Sequence, residues 1–128
     1  MPDKPKVLAL YAANGWSSAE APDRLMAALE GSDHLLCAFD ADQLVGLANA
    51  ISDGSLVVYY PHLLVRPDYH GKGIGRDLML RMLKRYQGFH QQTLFAVSEA
   101  ADFYEQVGFT RTDTVVPMWI YDGKDRQR

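Results

Sequence analysis

The stretch His70-Gly71-Lys72-Gly73-Ile74-Gly75-Arg76 decides how this chain is read. An apolar run, Leu56 to Val65, precedes it, and an amphipathic run, Ile74 to Tyr86, follows it. Glycines at alternate positions between a strand and a helix leave consecutive backbone N–H groups exposed at a helix N-terminus. Those donors have no intrahelical partner and sit at the positive end of the helix dipole, so the site suits a phosphate held by main chain.

Two familiar phosphate loops do not fit. A P-loop needs G-x-x-x-x-G-K-[ST], which is absent. A dinucleotide fingerprint needs G-x-G-x-x-G, and Gly73-x-Gly75 is followed by Leu78 in the third place. The hairpin-rich sequence before the loop also argues against a dinucleotide fold. Taken alone, the turn is explained better by a glycine-rich cap on an ordinary helix.

Working outward, Lys4 to Ala13 reads as a short helix stopped at Asn14-Gly15. Ala21 to Leu29 reads as a second helix, with Pro22 in its first turn and Leu25, Met26 and Leu29 on one face. His34–Phe39 and Gln43–Ile51 read as strands, with Ser52-Asp53-Gly54 as a hairpin signal. Leu56 to Val65 reads as one central strand buried on both faces. Within it Pro61 has no N–H to give the ladder, so it marks a bulge, a point where neighbouring strands separate, or the start of a shorter strand at His62. The helix from Gly73 to Tyr86 carries Ile74, Leu78, Met82 and Tyr86 on one stripe. Thr93–Val97 is a predicted strand and Glu99–Gln106 a short helix. Phe109–Arg111 and Val115–Tyr121 are predicted to form a final antiparallel pair. Asp122 to Arg128 reads as a polar, frayed tail.

The composition narrows the function. The chain has 128 residues, which suits one domain over 1–128, and 48% hydrophobic content, enough for a core. A net charge of −3 makes nucleic acid a poor partner and is compatible with an amine substrate. The single cysteine, Cys37, lies in Leu35-Leu36-Cys37-Ala38-Phe39 and reads as a small buried hydrophobe; it excludes a disulfide framework. His34, His62, His70 and His90 lack metal-ligand spacing, so no metal is expected. No run reaches membrane-span length and the N-terminus lacks an apolar signal region, so a cytoplasmic location is expected.

Two motifs together carry a resemblance. His70-x-x-Gly73-x-Gly75 follows Leu63-Leu64-Val65-Arg66-Pro67, and Ala100-x-x-Phe103-Tyr104-Glu105-x-x-Gly108-Phe109 comes one helix and one strand later. The chain thereby resembles the GNAT superfamily of acetyl-CoA-dependent N-acetyltransferases, over about Leu35 to Tyr121. The resemblance implies an α+β fold: a mixed, mostly antiparallel sheet of about six strands flanked by about four helices. The family's first strand is missing or very short here. His70 stands where Gln or Arg is usual, at a position that mainly supports the loop. Val97-Ser98-Glu99 stands where the family often has an Asn, and Ser98 is its substitute.

The resemblance also implies a site. Acetyl-CoA would lie in a notch where the fourth and fifth strands splay, its arm held by the main chain of Leu63, Leu64 and Val65. The N–H groups from Gly71 through Lys72, Gly73, Ile74 and Gly75 to Arg76 would hold the pyrophosphate, with His70 supporting the loop. Lys72 and Arg76 add charge there or simply face solvent. Tyr104 matches the family's acid position, where a hydroxyl protonates the departing thiolate. A base is needed because an alkyl amine is mostly protonated at neutral pH. Tyr59 and His62 are the candidates. Residues three apart face opposite sides of a regular strand, and Pro61 between them leaves the choice open.

Trp16, Asn49, Trp119 and Tyr121 are candidates for an acceptor pocket, with core packing the competing role for Trp119 and Tyr121. The activity implied is direct acetyl transfer from acetyl-CoA to the primary amine of a small molecule such as a polyamine or aralkylamine. The alternatives are acetylation of a protein N-terminal amine and a non-catalytic acetyl-CoA-binding module. A homodimer through the final strands is implied as well.

Overall fold

A computed structural model describes residues 1–123 of the chain. Helix α1 (Lys4–Ala13) leads through a 3-10 turn (Ser17–Glu20) to α2 (Pro22–Glu30). Strands β1 (His34–Asp40), β2 (Gln43–Ser52), β3 (Val57–Tyr59) and β4 (Leu63–Val65) follow. Then come α3 (Ile74–Arg85), β5 (Gln91–Thr93) and α4 (Ala101–Gln106). The described residues thus hold a mostly antiparallel sheet of five strands and four helices, the mixed α+β class expected.

The helices cover both faces of the sheet. Val7, Leu10 and Tyr11 of α1 recur at helical spacing and pack with Leu25 and Leu29 of α2 against Leu44, Leu47 and Leu64. On the other face Leu78, Met79, Met82 and Tyr86 pack against Ala48, Ala50, Val58 and Tyr60. The α3 stripe read from the sequence is therefore the buried one. Gly46 lets that helix approach: a Cβ there would lie 3.0 Å from Ile74 Cγ2 and 3.2 Å from Leu78 Cδ1.

The run Leu56–Val65 is not one strand. β3 pairs with β2 as Ile51 to Tyr59 and Ser52 to Val58, whereas β4 pairs as Gly46 to Val65, Leu47 to Leu64 and Ala48 to Leu63. Asn49 and Ala50 therefore face three residues, Tyr60, Pro61 and His62, which is a one-residue β-bulge at the proline. The bulge reverses the alternation of side chains. Val58 and Tyr60 lie in the α3-side core, but Leu64 lies in the core beneath α1 and α2.

Beyond the bulge the sheet opens. β3 pairs in parallel with β5 from Val57–Gln91 to Tyr59–Thr93, while among the described residues β4 pairs with β2 only. The predicted strand Thr93–Val97 is corrected accordingly: the polar Gln91-Gln92-Thr93 makes the ladder, and Leu94–Val97 runs past the gap without pairing. The predicted pair Phe109–Arg111 with Val115–Tyr121 is not formed among the described residues, so about six strands become five. An apolar, strand-like pattern becomes a strand only where a neighbouring edge offers hydrogen bonds, and none is in register there. Val115, Val116, Met118 and Ile120 are instead exposed. Among the described residues, α1 is the first element. The predicted tail, 122–128, lies outside the described residues from 124 onward.

Replacing Gly46 by valine drives two methyl groups into α3. Overpacking of this kind costs about 1–3 kcal/mol, so Gly46→Val is expected to lower the urea midpoint of unfolding while leaving the slope unchanged.

Candidate active site

The centre of the site is the bulge. His62 C=O accepts the Asn49 backbone N–H at 3.1 Å, but His62 N–H donates to the Asn49 side-chain Oδ1 at 3.0 Å. The Asn49 amide nitrogen in turn donates to Ser32 Oγ at 3.0 Å. Asn49 is only 3% exposed, so this amide is a buried polar group with both ends satisfied. Asn49 was expected to line an acceptor pocket. It is instead the clamp that holds the bulge.

The ladder on β4 fixes which groups face the gap. Arg66 N–H bonds to Val45 C=O and Asn49 N–H to His62 C=O, so by antiparallel alternation Leu64 turns its main chain to Leu47. Leu63 and Val65 turn theirs the other way, toward the open side. The Val65 C=O there is taken by the His70 ring, whose Nε2 donates at 2.9 Å, since a carbonyl only accepts. His70 thus ties the start of the glycine loop to the end of β4.

Gly71 and Gly73 adopt φ +80° and +83°, the left-handed region that an L side chain avoids. The first helical bond of α3 runs from Asp77 N–H to Gly73 C=O at 3.0 Å. Among the described residues, no backbone partner is recorded for the N–H groups of Gly71, Lys72, Gly73, Ile74, Gly75 and Arg76. Gly75 lies where an added Cβ would sit 3.6 Å from both Phe103 and Val65, so the loop packs close to α4 and β4. Lys72 stands 5.6 Å over the Tyr69 ring, and Tyr69 donates to Asp40 at 2.5 Å.

A cavity of about 600 Å³ fills the gap between β4 and Leu94–Val97. Tyr60, Pro61 and Leu63 form one wall, and Leu94 to Glu99 with Tyr104 form the other. Trp16, Tyr59, Trp119 and Tyr121 also line it. Trp119 and Tyr121 stack on each other at 4.4 Å, and Trp119 is 64% exposed, so core packing is not its role. Ser98 lines the wall. Among the described lining residues, Glu99 is the carboxylate, a residue the sequence did not single out. Its adjacency to Ser98, just before the Ala100-to-Phe109 motif, was the available signal.

The candidate catalytic side chains divide. Tyr104 lines the notch, and burial alone pushes its phenol up to about 12. The bulge settles the strand parity: Tyr59 alternates with Val58 and Tyr60, and His62 packs on Tyr11 and Trp16, so both face the α1/α2 side. Tyr59 lines the cavity and its ring meets Phe95 at 5.6 Å. His62 stands one ring further back, 5.2 Å from Trp16, and is not itself part of the cavity wall. Away from the site, burial raises the Cys37 thiol, as fits a packing residue. Among the described residues no group of three His, Cys, Asp or Glu side chains is placed to hold a metal, and no helix is long and apolar enough to cross a membrane.

A bent central strand with an open edge therefore lies beside the N-terminus of α3 in a mixed α+β domain. Residues 8–117 match the family model for the acetyltransferase (GNAT) domain. The chain belongs to the GNAT acetyltransferase family. It is 37% identical over 81 residues to the uncharacterized N-acetyltransferase ycf52 of Gracilaria tenuistipitata var. liui, which covers 61% of this chain and 44% of that protein. It is 33% identical over 69 residues to the chloroplastic GCN5-related N-acetyltransferase 2 of Arabidopsis thaliana, covering 52% of this chain and 27% of that protein. The chain thus spans less than half the length of these relatives. Among solved structures, a GNAT-family acetyltransferase of Streptococcus pneumoniae superposes with TM-score 0.79 at 30% identity, covering 95% of this chain and 93% of that one.

Removing the clamp should be costly. Asn49→Leu leaves the His62 N–H buried without an acceptor, a loss of about 1–3 kcal/mol, checked by urea unfolding. The Tyr104 phenol also sets an alkaline limit. Its pKa is raised in the folded state from 10.0 to about 12, so its share of stability is complete below pH 10 and lost as pH rises toward 12. Tyr104→Phe is expected to flatten the alkaline fall in melting temperature over that window.

Proposed function

We propose that this chain transfers the acetyl group of acetyl-CoA to the primary amine of a small molecule. The observation that carries the reading is the bulge-opened notch, with the Leu63 main chain bared on one side and the α3 N-terminus bared at its end. Acetyl-CoA fits these groups: the donors from Gly71 to Arg76 suit a pyrophosphate, and the Leu63 main chain with the Val65 N–H suits an amide-bearing arm. When bound, it supplies an activated thioester.

The chain's own residues then have distinct tasks. The Leu63 N–H, turned into the notch, stabilises the negative charge that develops on the carbonyl oxygen as the amine attacks. As the C–S bond breaks, Tyr104 gives its proton to the sulfur. A phenol at about 12 against a thiol of about 8.5 makes the bare transfer uphill by about 5 kcal/mol. The same dry surroundings also disfavour a thiolate, which narrows the gap, and a proton leaving the amine makes up the rest. His62 is the proposed base, because imidazole is the side chain whose ordinary pKa lies near neutrality. Tyr59, which lines the cavity, is proposed to orient the amine.

On the acceptor side Trp16, Tyr59 and Phe95 offer ring faces and Glu99 offers a charge. An ammonium group on a flat apolar body fits them better than a flexible polycation, so an aralkylamine is favoured over a polyamine. A cytoplasmic setting is proposed. A homodimer is proposed too, because Val115–Ile120 leaves apolar side chains uncovered; a light-scattering mass of 14.4 kDa would count against it.

Free-thiol release from acetyl-CoA with a panel of amines tests the activity. Turnover is expected with at least one small primary amine, and Tyr104→Phe is expected to lower kcat by about 100-fold or more with calorimetric CoA affinity kept. Tight binding with no turnover on any amine would support a binding module instead.

A further inference from the structure

The wall of the notch is lopsided in charge. Of the described side chains that line the cavity, Glu99 alone carries a formal charge; the others are aromatic, aliphatic or hydroxyl-bearing. Glu99 stands in the 3-10 turn Ser98–Ala100 that leads into α4, and it is exposed. The next two carboxylates along the chain, Asp102 and Glu105, are both taken by Arg111, at 2.8 and 3.2 Å. Among the described residues Glu99 has no such partner. The cations of the glycine loop, Lys72 and Arg76, are not part of this wall. Beside the carboxylate lie open ring faces: Tyr59 and Phe95 meet at 5.6 Å while staying 36% and 53% exposed.

We propose that Glu99 is the specificity-determining residue for the acceptor. It makes the notch select a primary amine that lacks a carboxylate over the amino acid that carries one on the same carbon. The proposal rests on the acetyltransferase reading and names the acceptor class more narrowly. An arylalkylamine arrives as a monocation and is drawn to Glu99 before it gives up its proton. The matching amino acid arrives as a zwitterion, with no net charge to attract.

The carboxylate of an amino acid cannot be left outside. It sits on the carbon that bears the nitrogen, so any pose that brings the nitrogen to the thioester brings the carboxylate into the cavity. There it meets a like charge, and no cation among the described lining side chains pairs with it. Bulk is not the discriminator. The amide of the same amino acid is as large as the acid but uncharged, so it escapes the repulsion.

Both tryptophans of the chain, Trp16 and Trp119, line the cavity, so their fluorescence reads occupancy without turnover. Titrations with 2-phenylethylamine, phenylalanine and phenylalaninamide are run at about pH 6, where all three amines are protonated. The wild-type chain is expected to bind 2-phenylethylamine about 10-fold more tightly than phenylalanine, with phenylalaninamide close to the amine. Glu99→Gln is expected to cut that preference to about twofold, and Glu99→Lys to invert it. Both variants should melt with the wild type, since an exposed side chain with no described partner is replaced. In thiol-release assays kcat/KM is expected to follow the same order. A preference that survives Glu99→Gln overturns the proposal, as does a wild-type chain that binds amine and acid equally or gives no response to any of the three. Phenylalaninamide refused as firmly as phenylalanine would assign the selection to bulk and overturn it too. A wild-type chain that neither binds CoA nor releases thiol defeats the acetyltransferase reading instead, and the titrations would still rank the three ligands.

Discussion

The Asn49 side chain accepting the His62 N–H is the contact on which the site depends. A bulge in a central strand removes ladder bonds from the middle of a sheet, where an unmet donor is expensive. Here an amide supplies the missing acceptor and is itself anchored to Ser32. With that donor satisfied, β4 can keep its register on β2 while β3 turns away toward β5. The opening between Leu63 and Leu94–Val97 follows from this geometry, as does the reversal that brings His62 to the same face as Tyr59.

The opening is walled differently on its two sides. On the α3 side lie the bare helix N-terminus and the His70 brace on Val65. On the α1/α2 side lie Trp16, Tyr59 and the ring of Phe95. Tyr104 stands in the wall between them, short of hydration. A polar, main-chain surface on one side and an aromatic one on the other suit two different molecules meeting across the strand edge.

Much of this was legible from the residues because it rests on local rules. Glycine spacing marked the loop, the Ile74–Tyr86 stripe marked α3, and Pro61 marked the irregularity in the strand. What escaped depends on distant partners. Asn49 sits among small apolar residues, and only the register with His62 shows why an amide is needed there. Tyr11 reads as one more apolar position of α1, because its hydroxyl finds an imidazole 51 residues away. The segment Val115–Tyr121 has the composition of a strand, but no edge of the described chain lies in register to receive it.

The link between β3 and β5 has a mechanical consequence. Among the described residues, three residue pairs, Val57–Gln91 to Tyr59–Thr93, make the ladder that joins the far wall to the sheet. Gln92 adds side-chain hydrogen bonds with the Tyr60 hydroxyl and the Tyr86 C=O, and the rest of the attachment includes packing of Phe103 and Phe109 against the α3 core. Packing yields to small displacements more readily than a ladder does. The aperture is therefore the compliant dimension of this protein: its width can follow the bulk of an incoming guest while β1, β2 and β4 stay as rigid as an anvil.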